Sequence, residues 1–78
     1  MSQQDAVALT DAANQATSVA NTQGTSAAHN NALHAHSAAS SAWAALGNVR
    51  VAAVHAATSQ AHSTASSNLK LAGKWEIA

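Results

Sequence analysis

The chain has 78 residues, enough for one small domain at most, and 23 of its 37 hydrophobic residues are alanine, which leaves 14 larger apolar side chains for a core. The absence of cysteine excludes disulfides and thiolate metal sites as supports. Asp5, Asp11, Arg50, Lys70, Lys74 and Glu76 carry all the formal charge, so there is no basic patch for phosphates, and nucleic acid is excluded as the main partner.

Backbone ordering costs about 1–2 kcal/mol per residue, and an alanine buries little area to offset it. Such a chain is expected to fold by joining copies of itself or by docking on a larger body. The start MSQQDAV lacks the basic and apolar regions of a signal peptide. No apolar run approaches the roughly 18 residues of a membrane span, so the expectation is a soluble product made in the cytoplasm with no membrane partner.

With alanine the best helix former and no proline present, helices are the expected elements. Residues 1–23 form the first segment, with a helix near 3–22. Ser2 and Asp5 resemble a capping pair, and the two early aspartates suit a positive helix N-terminus. Within it Leu9, Ala13, Ala16 and Ala20 line one face. A break or kink is expected at 24–26, where Gly24 sits between polar residues and Ser26 is placed to cap the next helix.

From 27 to 68 an eleven-residue register collects most large apolar residues into four rows, namely His29/Ser40/Val51/His62, Ala32/Trp43/Val54/Ala65, Leu33/Ala44/His55/Ser66 and His36/Gly47/Thr58/Leu69. A single helix over this stretch would be a rod of about 60 Å. A break at 47–48 would instead give two helices folded back on each other, since Gly and Asn end helices well. The rod is the preferred reading. Its fold class is mainly α, an oligomeric coiled-coil-like bundle, with three copies meeting through Ala32, Leu33, His36, Trp43, Val51, Val54, Ala65 and Leu69.

Residues 69–78 change to a period of two, which predicts a short strand-like tail docking through Leu71, Trp75 and Ile77. Trp43 and Trp75, the only aromatics, read as packing anchors, and Arg50 as a solvated side chain.

The five histidines are the residues most able to carry chemistry. His34 and His36 point about 200° apart on a helix and cannot hold one ion together. His29, His36, His55 and His62 share the stripe, which makes them candidates for metal ligands. The preferred alternative is polar layers that fix register, with assembly sensitive to pH near the histidine pKa of about 6.5. No cofactor is expected. Carboxylates sit only at the two ends of the chain, away from the serines and histidines, so no catalytic constellation forms and the chain is not expected to be an enzyme. An ice-binding helix is a weaker alternative, because the threonines show no sustained repeat.

The segments Ser37-Ala38-Ala39-Ser40-Ser41-Ala42 and 56–68 resemble the Ala/Ser/Thr/Asn helical stalks of bacteriophage tail and head fibres. The resemblance covers about residues 26–68. It implies a trimeric stalk or a small accessory protein of the virion, acting as fibre stalk, adaptor or cement element and attached through one end to a larger structural protein. No receptor-binding head accompanies it.

Overall fold

A computed structural model describes the backbone of residues 2–77 and the side chains of residues 2–72. Three helices account for nearly all of it: α1 (Gln3–Gln23), α2 (Ser26–Ala45) and α3 (Val49–Ile77). Among the described residues there is no strand.

Each boundary has a local cause. Ser2 and Asp5 form a reciprocal capping box at the start of α1, with Asp5 N–H on Ser2 Oγ at 3.1 Å and Ser2 N–H on the Asp5 carboxylate at 3.3 Å. Gly24, at φ 62°, closes α1 in the left-handed conformation while its N–H returns to the Ala20 carbonyl. The cap of α2 is Thr25, one residue before the expected Ser26, accepting from Ala28 N–H at 3.2 Å. Ser26 instead reaches α3.

The 27–68 rod does not form. α2 ends at Ala45, Gly47 takes φ 83°, and the Asn48 side chain accepts the Val51 N–H at 3.2 Å to start α3. The chain therefore reverses twice into an antiparallel three-helix bundle measuring 49 × 18 × 14 Å. α1 and α3 both run opposite to α2. The period-two tail is also not a strand, since α3 continues as helix to Ile77. No neighbouring strand lies beside it, whereas a preceding helix already satisfies its backbone.

The packing repeat is seven residues, not eleven. Ala6, Ala13 and Ala20 are buried on α1 and Ala28, Ala32, Ala39 and Ala42 on α2, and Ala20 packs with Ala28 and Ala32. Ala52, His55, Ser59, His62 and Ser66 form the buried face of α3. Every buried hydrophobic residue among those described is alanine. Small residues let the helices approach closely, as three hydroxyls from α2 or α3 landing on the other's carbonyls attest: Ser40 on Ala52 at 2.8 Å, Ser59 on Leu33 at 3.0 Å and Ser66 on Ser26 at 3.4 Å. A Val or Leu at these positions would hold the backbones apart. That is why Val49 and Val54 lie outside, 73% and 60% exposed.

The third side of the bundle is built differently. α1 and α3 meet through longer polar side chains, and those side chains form the candidate site.

Candidate functional site

Four histidines occupy the interior between the helices. His29 and His36 lie one heptad apart on α2, His55 and His62 one heptad apart on α3, and Thr10 and Thr17 one heptad apart on α1. Because α2 runs against its neighbours, the two histidine series interleave. His29 Nδ1 faces His62 Nδ1 at 2.8 Å, and His36 Nδ1 faces His55 Nδ1 at 2.9 Å. Thr17 Oγ1 joins the two pairs, 2.6 Å from His36 Nε2 and 3.0 Å from His62 Nε2. Thr10 Oγ1 lies 3.4 Å from His55 Nε2 and accepts the Trp43 indole N–H at 2.8 Å. The result is a continuous ladder through the bundle: Trp43, Thr10, His55, His36, Thr17, His62, His29.

Starting from the Trp43 end, one order of protons satisfies every link. Indole nitrogen only donates and a neutral imidazole has one donor and one acceptor. Thr10, accepting from Trp43, donates to His55 Nε2. His55 then carries its proton on Nδ1 and donates to His36 Nδ1. His36 Nε2–H donates to Thr17, whose hydroxyl donates to His62 Nε2, and His62 Nδ1–H donates to His29 Nδ1. The reverse order would leave the Thr10 hydroxyl proton without a partner in the ladder. With all four imidazoles neutral, every internal donor has an acceptor. Among the described residues no buried side-chain N or O atom lacks a partner.

The neutral state is also the one the surroundings favour. His36 and His62 are 3% and 6% exposed, and burial holds both below the ordinary value of 6.5. The facing charges of His55 and His62 depress His36 further, and that of His29 depresses His62. From α1 the ladder meets only the hydroxyls of Thr10 and Thr17. Asp5 and Asp11 are exposed on that helix, and Arg50 is exposed on α3.

Each pair has one proton between its two Nδ1 atoms. A pair can take one positive charge and keep that hydrogen bond, but a second proton sets two N–H groups against each other. The ladder ends at the Trp43 indole, which can only donate. No carboxylate takes part in the ladder among the described residues.

The eight residues expected to face other chains divide here. Ala32 and His36 are buried within the chain itself, and Leu33, Trp43, Val51 and Ala65 are half-buried. Val54 and Leu69 are exposed. Leu71 of the expected docking tail is exposed, and the side chains of Trp75 and Ile77 lie outside the described residues. The four metal candidates do come together, but in pairs. Among the described residues no three His, Asp or Glu side chains converge on a common point. His34 is exposed and takes no part. The eleven-residue register held Ser66 but left out its partner Ser26 and the pair Ser37–Ser59, both contacts 2.8 Å, and, confined to 27–68, it could not reach Thr10 and Thr17. The signal that finds them is the seven-residue recurrence of Ala6/Ala13/Ala20, Thr10/Thr17, His29/His36 and His55/His62.

Comparison with protein-family models, curated proteins and solved structures gave no match. No described helix is long and apolar enough to cross a membrane.

Proposed function

We propose that this chain is a non-enzymatic helical structural module whose fold is held by neutral histidines and loosened by acid. The supporting observation is the ladder, in which four imidazoles from α2 and α3 and two threonine hydroxyls from α1 take the place of a hydrophobic core where the three helices meet. Folded-state histidines with lowered pKa bind fewer protons than their unfolded counterparts. Stability is therefore complete above the ordinary value of 6.5 and falls as the pH drops from there towards the lowered values. Below those values the loss levels off. Thermal unfolding followed by circular dichroism at pH 7.5, 6.5 and 5.0 tests the proposal. A melting temperature that declines below pH 6.5 supports it, and one unchanged to pH 5.0 sinks it.

The second reading concerns where such a module attaches. Thr10 pairs with His55 and Thr17 with His62, a constant offset of 45 residues, so α1 ends opposite residue 68. α2 begins at Ser26, opposite Ser66. Residues 69–77 of α3 thus run past both neighbours by roughly 13 Å at 1.5 Å per residue. Exposed Leu69 and Leu71 on this extension favour docking to a larger structural protein, the adaptor role implied by the likeness to phage fibre stalks. A chain ending at Asn68 is expected to keep its helicity and lose attachment to such a partner. Loss of the fold on truncation would instead make the extension part of the bundle.

A further inference from the structure

We propose that the α2–α3 turn is a hinge at which two copies of this chain exchange their third helices, giving a dimer in which α2 and α3 of each copy run on as one helix. Only Leu46, Gly47 and Asn48 separate the two helices. Leu46 keeps a right-handed conformation, and the reversal turns on Gly47 at φ 83°. No proline stands near it, so a helix through the turn is sterically open. Short hinges of this kind favour exchange of an element between copies.

The contacts across α2 and α3 survive the exchange. His36–His55 and His29–His62 are centred between residues 45 and 46, and Ser26–Ser66 and Ser40–Ala52 on Leu46 itself. Pairs centred on the turn close equally well between α2 of one copy and α3 of an antiparallel second copy. α1 stays with its own α2 and offers Thr10 and Thr17 to the exchanged His55 and His62.

A hairpin alone does not require that both members of a pair share one face of a straightened helix, but an antiparallel pair of long helices does. His29 and His62 are 33 residues apart and Ser37 and Ser59 are 22 apart, both multiples of eleven. At 3.67 residues per turn each pair therefore shares a face, with His36/His55 and Ser26/Ser66 within roughly 65° and 33° of doing so. Val54, 60% exposed in the monomer, joins Trp43 in the same row of that stripe. The eleven-residue register, unused in the monomer, is thus the register of the exchanged form, whose helix from Ser26 to Ile77 is about 78 Å long.

Exchange requires α3 to leave its own bundle, so the folded monomer persists and the dimer forms when unfolded chains refold together. The test is refolding of the full chain from guanidinium chloride at millimolar concentration, with mass read by light scattering after size exclusion. Ser37→Cys and Ser59→Cys, introduced together into this cysteine-free chain and into Gly47→Ala, report where α3 sits, because the parent hydroxyls are 2.8 Å apart. We expect a minor dimer of twice 7.8 kDa from the parent and a dimer-to-monomer ratio at least tenfold higher from Gly47→Ala, since each dimer straightens two turns. On a non-reducing denaturing gel the oxidised dimer should remain covalently joined, while the monomer fraction, cross-linked within one chain, shows that the cysteines bond. No dimer from either chain, or a dimer whose disulfides all lie within single chains, overturns the proposal.

Discussion

Thr17 shows how much one hydroxyl can decide. Its oxygen serves His36 and His62 together, so Thr17→Val, which keeps the shape and removes the hydroxyl, leaves two buried ring nitrogens without partners. Each unsatisfied group costs about 1–3 kcal/mol, and denaturant unfolding should report a loss in that range or above it. Thr22→Val, on the exposed face of the same helix, should change little. The proton order makes a second prediction at this scale. At pH 7.5, ¹⁵N chemical shifts are expected to assign Nδ1–H to His55 and His62 and Nε2–H to His36 and His29. A uniform Nε2–H pattern would contradict the ladder. Neither threonine stood out in the sequence. A search for metal ligands or large apolar side chains passes over a hydroxyl, yet in an interior this poor in carbon the hydroxyls carry the joints.

At the scale of elements, the close approach of α1 and α2 depends on alanine at the seven-residue positions. Ala13 has no exposed surface, so Ala13→Leu forces the helices apart and should destabilise the fold by about 1–3 kcal/mol. A methyl group at Gly47 would meet only open space, but the residue sits at φ 83°, so Gly47→Ala should cost about 1–2 kcal/mol through backbone strain alone. The helical class, the capping box and the interruption near Gly24 were legible because each rests on local chemistry: alanine content, a Ser/Asp pair, a glycine. The register was not. Weighting Val51, Val54 and Trp43 as core made eleven the best period, whereas the interior selects for smallness and for polar groups that can pair. The tail misled for a related reason, since alternation over ten residues does not outweigh a helix that already extends into them.

For the whole molecule, the decisive question is where the partners of the polar stripe come from. Three rods meeting in a trimer would supply histidines to one another from separate chains, and helicity would then fall on dilution as the chains parted. In the bundle the same contacts close within one chain, Thr17 to His36 across 19 residues and to His62 across 45. Helix content at pH 7.5 is therefore expected to be independent of concentration, with a scattering mass of 7.8 kDa and a radius of gyration near 13.8 Å. Acid changes that balance. Charging the ladder leaves α1 with few reasons to stay against α3, because the two share neither the alanine seam that joins α1 to α2 nor the serine contacts that join α3 to α2. The first motion on acidification should be separation of α1 from α3, seen as growth of the radius of gyration before helicity is lost. Simultaneous loss of both signals at every pH would mean that the bundle opens as one unit and that the ladder has no separate role in holding its third side.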